Sequence, residues 1–157
     1  MTASLPSVSI IDDLLCTAAQ PSAEQLAALG ETGVRHVINL ALPSSDHAVA
    51  DEGARLAAQG ITYVNIPVLW ERPESAQFLL FAQVLWAMRD EPVLVHCACN
   101  MRASAFVFLY RVVHEGVDLA EAAAALHAVW RPEGTWRDFL SLQLAGQGLD
   151  YDAVAAT

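Results

Sequence analysis

The chain has 157 residues, 8 arginines, no lysine, 18 acidic residues and a formal net charge of −10, and a chain of this size buries about 70% of its unfolded surface in a single core. Stapled mini-scaffolds are excluded by that size, and general nucleic-acid binding by an acidic composition with no basic stripe. Any anionic ligand therefore needs a local pocket.

Short β-branched runs alternate with longer segments of helical period, the mark of an α/β domain. A strand-like start spans residues 9–15. Ser22 and Gln25 then have capping-box spacing, with Gly30 placed to end the helix they open. Residues 34–40 read as a buried strand, residues 51–58 as a helix stopped by Gly60, and residues 61–66 as the next strand. Pro67 and Pro73 bracket a loop carrying Trp70 and Glu71, after which Ser75 opens an apolar helix to Arg89. Residues 92–96 form a strand with almost no polar side chain, as expected of one covered on both faces of a largely parallel sheet. HCACNMRAS (residues 96–104) leads into a buried helix ending near His114. Two more helices follow, opened by Asp118 with Glu121 and by Thr135 with Asp138. The expectation is one domain over residues 1–157, with its core at about 8–144 and a weakly anchored tail at 145–157. Residues 1–6 lack the basic and apolar blocks of a secretory signal, and no apolar run is long enough to span a bilayer. A cytoplasmic protein without membrane contact is expected.

Chemistry concentrates at the junction after the apolar strand at residues 92–96. Cys97, between a strand's carboxyl end and a helix's amino end, faces unpaired N–H groups and the positive helix pole, and both favour thiolate. The amides of Ala98, Cys99, Asn100, Met101, Arg102 and Ala103 form an anion cradle, with the Arg102 guanidinium as a bidentate donor at its rim. This arrangement fits attack by Cys97 on a phosphoryl group and a cysteinyl-phosphate later released by water. His96 would orient the loop through a ring N–H.

The stretch resembles the signature loop of the cysteine-dependent protein tyrosine and dual-specificity phosphatases, particularly the small bacterial ones. Ala19-Gln20-Pro21-Ser22, His36-Val37-Ile38-Asn39-Leu40, Tyr63-Val64-Asn65-Ile66-Pro67-Val68 and Arg131-Pro132, with Trp136, Phe139 and Leu142, follow in the family's order. The likeness thus covers residues 12–144. It implies a central sheet flanked by helices, no metal or other cofactor, and a phosphorylated protein or small phosphorylated molecule as partner.

Three departures from the family pattern stand out. Only four residues separate Cys97 from Arg102, where the family has five, which removes one N–H donor and up to about 3.5 Å of reach. Ser104 keeps the spacing from the cysteine of the hydroxyl that assists the thiolate, yet it does not directly follow the arginine, so one of the two is displaced. No glycine occurs in the loop, which leaves Asn100 as the residue suited to a left-handed conformation. The family's aspartate general acid has no match beside Trp70. Glu71, lifted by burial against Trp70, takes the role, with Asp46 in reserve. Two alternatives accompany this reading: a rhodanese-type sulfurtransferase, whose loop has a similar length, and a phosphate-binding module that has lost efficient chemistry.

The remaining residues have plainer readings. Cys16 belongs to the core, and the histidines share no metal-ligand spacing. Trp130 and Trp136 are packing residues, and Arg131 backs the loop or pairs with an acid. The high apolar fraction is consistent with a homodimer.

Overall fold

A computed structural model describes residues 4–157. The first three residues of the start read from the sequence at 1–6 lie outside the described residues. Among the described residues no helix is long and apolar enough to cross a membrane.

The strand-like start resolves into two strands, β1 (Ser9–Ile10) and β2 (Leu15–Ala18), paired antiparallel. Asp12 makes the reversal, because its Oδ1 accepts the backbone N–H groups of Leu14 and Leu15, both at 2.8 Å, an Asx turn. Three further strands, β3 (His36–Asn39), β4 (Thr62–Asn65) and β5 (Val93–His96), complete a sheet of order β1-β2-β5-β3-β4 in which every pair except β1–β2 is parallel. The expected central, largely parallel sheet flanked by helices is what the chain forms.

β5 lies between β2 and β3, and all four of its residues are buried. Strand side chains alternate between faces. Val93 and Val95 enter the large core, while Leu94 enters the smaller one. The smaller core is closed by α1 (Ala23–Ala27) and α2 (Glu52–Ala57), whose Leu26 and Leu56 are fully buried there. The larger is closed by α3 (Ser75–Met88), α4 (Met101–Val113), α5 (Leu119–His127) and α6 (Gly134–Ala145). α4 runs through its centre with nine consecutive-turn positions buried from Ala103 to Val112, which explains an apolar segment without a clean polar face.

Helix ends fall close to the sequence signals. Ser22 and Gln25 form the reciprocal box at α1, but the chain does not stop at Gly30. It continues as a 3-10 helix (Leu29–Thr32) and leaves through Gly33 at φ 91°, a left-handed position suited to glycine. α3 is capped by Glu74 with Gln77 rather than by Ser75, and α6 begins behind Glu133.

The tail differs from expectation. A second 3-10 helix (Tyr151–Ala153) packs on α6, with Tyr151 fully buried and Val154 also in the large core. The Tyr151 hydroxyl lies 2.8 Å from His127 Nε2, and His127 Nδ1 lies 3.1 Å from the Thr157 carbonyl. Burial, with the nearby Arg131, holds His127 below its ordinary pKa, so the neutral ring donates from Nδ1 and accepts at Nε2. Arg131 donates to the Ala155 carbonyl at 3.3 Å and so fastens the tail instead of backing the loop. One buried aromatic anchors what the sequence left loose, because a single tyrosine carries no periodicity. Tyr151→Ala is expected to lower unfolding free energy by about 3 kcal/mol, read by urea denaturation. A loss below about 1 kcal/mol would show that the tail lies outside the cooperative core.

Candidate active site

Cys97 follows β5 directly and remains part of the sheet through its N–H, which donates to the Ala18 carbonyl at 3.4 Å. Its side chain therefore keeps the strand's alternation and enters the same core as Val93 and Val95, where it is 1% exposed. The thiol is therefore buried where β5 meets the loop.

The chain then turns through Asn100 at φ 66° and ψ −3°, the left-handed conformation expected there in the absence of glycine. Asn100 is fully buried and its Nδ2 donates to the Ser7 carbonyl at 2.8 Å, so the N-terminal segment holds the turn. Met101, Arg102 and Ala103 form the first turn of α4, whose N–H groups have no intrahelical acceptor. The positive pole of the helix points out of this turn.

Arg102 is half-buried, and its Nη1 donates to the Val68 carbonyl at 2.7 Å, beyond the end of β4. One guanidinium nitrogen is thus engaged with backbone. Arg102 lines an open cavity of about 460 Å³ together with Asp46, Trp70, Glu71, Ser44 and Ser45. Both sequence-read acid candidates thus meet the arginine in one cavity. Glu71 is exposed, not buried against Trp70 as expected, because the Trp70 ring packs instead at 5.4 Å from both Trp130 and Trp136. The Trp70 carbonyl accepts the Trp136 indole N–H at 2.8 Å, which fixes the loop.

Ser104 is committed to local partners. Its Oγ donates to the Met101 carbonyl at 3.1 Å and accepts the Trp130 indole N–H at 3.2 Å. Trp130 also donates to the Met101 carbonyl at 2.9 Å, so it braces the start of α4 as well as packing. Cys99 is exposed and lines a separate depression with Ser7, Val8 and Val129. Ala98 accepts the Gln20 N–H at 3.2 Å.

His96 obeys the opposite alternation and faces the smaller core layer, fully buried. Its Nδ1 lies 3.4 Å from the Cys97 carbonyl, in keeping with the orienting part read from the sequence. Its Nε2 lies 3.1 Å from Glu52 Oε1. Glu52, only 6% exposed, also accepts from Gln20 Nε2 at 2.9 Å and Asn39 Nδ2 at 3.0 Å. Burial alone would raise its carboxyl, but the adjoining His96, with Gln20 and Tyr63, outweighs burial and holds it below the ordinary value. Tyr63 is pushed up to about 12, by burial first, so its hydroxyl stays protonated beside the carboxylate. Gly53 admits the Tyr63 ring, since a Cβ there would stand 2.9 Å from Cδ1. This network was missed from the sequence. Its available signal was polar residues at adjacent strand ends, for Asn39 pairs in register with both His96 and Asn65.

The family model of the DSP-PTPase phosphatase fused to NAD+ kinase matches residues 10–138. The chain belongs to this phosphatase family. Among solved structures it is similar to a candidate DUF442 phosphatase from Shewanella putrefaciens CN-32, 29% identical over 92% of this chain and 95% of that one, with a TM-score of 0.81. It is also similar to P. aeruginosa TpbA, 25% identical over 96% of this chain and 89% of that one, at a TM-score of 0.62. Tk-PTP, 18% identical over 90% of this chain and 95% of that one, shares the fold at 0.70. No curated protein matches the chain. The fold of a dual-specificity phosphatase therefore carries a buried cysteine after β5 and an arginine engaged with backbone.

The Glu52 network generates a pH test. The folded carboxyl titrates below its ordinary 4.5, so its stabilising effect is complete above that value and is lost as pH falls through the lower folded one. Glu52→Gln is expected to cost about 2 kcal/mol at neutral pH, and the difference from wild type should shrink toward acid in urea melts. A difference independent of pH would mean that the charge plays no part.

Proposed function

We propose that this chain hydrolyses phosphate monoesters, phosphoproteins among them, through Cys97. The observation that carries the reading is the placement of Cys97 between the end of β5 and the first turn of α4, with Arg102 at the rim of a cavity that also holds two carboxylates. Membership of a phosphatase family supports it.

The Cys97 thiolate attacks phosphorus as the ester P–O bond breaks, and Glu71, as the carboxylic acid, gives its proton to the departing oxygen. Water then attacks the cysteinyl-phosphate, yields its proton to the Glu71 carboxylate and releases phosphate with the thiolate restored. The amides of residues 98–103 and Arg102 hold the three non-bridging oxygens. Arg102 must exchange the Val68 carbonyl for those oxygens, and the thiol must come within reach of the cavity. A cysteine-to-serine form of TpbA has been solved in complex with pTyr, which recommends an aryl phosphate as first probe.

A second reading has its own observation. Cys97 is buried, and Arg102 is bonded to Val68, which favours a module that binds phosphate without turnover. The deciding experiment measures phosphate release from p-nitrophenyl phosphate, phosphate affinity, and sulfur transfer from thiosulfate to cyanide. For the enzyme, Cys97→Ser is expected to reduce hydrolysis at least about a thousandfold while keeping phosphate affinity, and Arg102→Lys to reduce it about a hundredfold. Hydrolysis unchanged by Cys97→Ser would refute the reading; bound phosphate without wild-type turnover would establish the module, and thiocyanate production the sulfurtransferase.

The acid is tested separately. Glu71→Gln is expected to lower kcat about a hundredfold, with Asp46→Asn within about threefold of wild type. The reverse pattern would transfer the role to Asp46.

A further inference from the structure

The opposite end of the sheet holds a cavity for which the phosphatase reading has no use. It has a volume of about 230 Å³ and lies where the β1–β2 turn meets the C-terminal ends of α3 and α4. Arg102 and Tyr110 are eight positions apart on α4, so its inner wall stands about 12 Å down the helix axis from the arginine.

The inner wall is apolar, built from Leu15, Leu85 and Val93, which are at most 7% exposed. Tyr110 completes it. This tyrosine is 1% exposed, its ring packs on Phe81 and His114, and its buried hydroxyl has no hydrogen-bond partner among the described residues. A buried polar group without a partner costs free energy that a neighbour of the same size without the hydroxyl would not. The hydroxyl sits close enough to Glu115 and Arg89, both at the cavity's edge, to feel their charges.

The rim is acidic. Asp12, Asp13 and Glu115 line it, with Arg89 as the cationic side chain among the lining residues. Arg89 is already committed, since its guanidinium lies 3.8 Å over the Trp86 ring and its Nη1 donates to the Trp86 carbonyl at 2.6 Å. Burial first, and then the charge of Asp12 against the opposing charge of Arg111, push the Glu115 carboxyl above its ordinary range, and the three carboxyl groups on the rim crowd one another. An anion would add to that crowding. A cation would relieve it.

We propose that this cavity binds a small organic ammonium ion bearing an apolar group. The apolar group fills the wall of Leu15, Leu85 and Val93, the nitrogen lies among Asp13, Asp12 and Glu115, and one N–H donates to the Tyr110 hydroxyl. The site is separate from the cavity at Arg102 and does not depend on the chain being a phosphatase.

Three probes of similar shape test it against the full chain: 2-phenylethylammonium, 2-phenylethanol and 3-phenylpropionate, titrated while amide NMR shifts are followed. The expected result is an ammonium affinity at least about tenfold above that of the carboxylate, with the alcohol between them and the shifts centred on Leu15, Val93 and Glu115. Tyr110→Phe keeps the ring and is expected to weaken the ammonium about fivefold; Asp13→Asn, at an exposed position, is expected to do likewise and carries the test if Tyr110→Phe does not fold. Equal or tighter binding of the carboxylate, no shifts at those amides up to about 10 mM ammonium, or an affinity unchanged in a folded Tyr110→Phe protein would overturn the proposal.

Discussion

Everything at the candidate active site depends on one constraint, the burial of β5 on both faces between two parallel neighbours. A strand so placed must send successive side chains into different layers. His96 therefore enters the layer under α2, where Glu52 meets it, and Cys97 enters the layer filled by α4. The two residues are adjacent in sequence but belong to different cores. The polar network around Glu52 holds the backbone of the loop from one side while hydrocarbon packs the thiol from the other.

The same constraint gives Arg102 its setting. α4 is buried along most of its length and cannot rotate about its axis without disturbing the large core. Its first turn is consequently a fixed platform for backbone N–H groups, and adjustment falls to the arginine side chain. In this conformation the guanidinium joins the beginning of α4 to the chain beyond β4 through Val68. Asp46 and Glu71 come from the loops after β3 and β4, so the cavity lies at the carboxyl ends of parallel strands, where ligand sites of open α/β sheets are generally found.

Much of the fold was legible because it rests on local signals. The apolar run of β5, the Ser22–Gln25 box, the glycine after α2 and the left-handed Asn100 each follow from a few neighbouring residues. What escaped was set by tertiary packing. Asp12 folds a strand-like segment into a hairpin through two backbone bonds, and Tyr151 anchors the tail through a partner 24 positions away. The site divides in the same way. The positions of Cys97 and Arg102 within a strand, turn and helix could be read from order alone. The depth of the thiol, the turning of Ser104 toward Trp130 and the gathering of Gln20, Asn39, Tyr63 and His96 about Glu52 could not, because each depends on segments distant in sequence. Glu71 is instructive: the sequence placed it beside Trp70 correctly, but burial depended on where that ring packs, and two other tryptophans decided it.

The bond from Asn100 to Ser7 makes the two ends of the protein unequal for anyone who must attach something to it. Ser7 lies three positions after residue 4, so a bulky fusion at the N-terminal end would pull on the turn that opens α4. A label carried on the surface of α3, where Leu79 and Trp86 face solvent, lies on an element that contributes no side chain to that turn, and is the better point from which to immobilise the molecule.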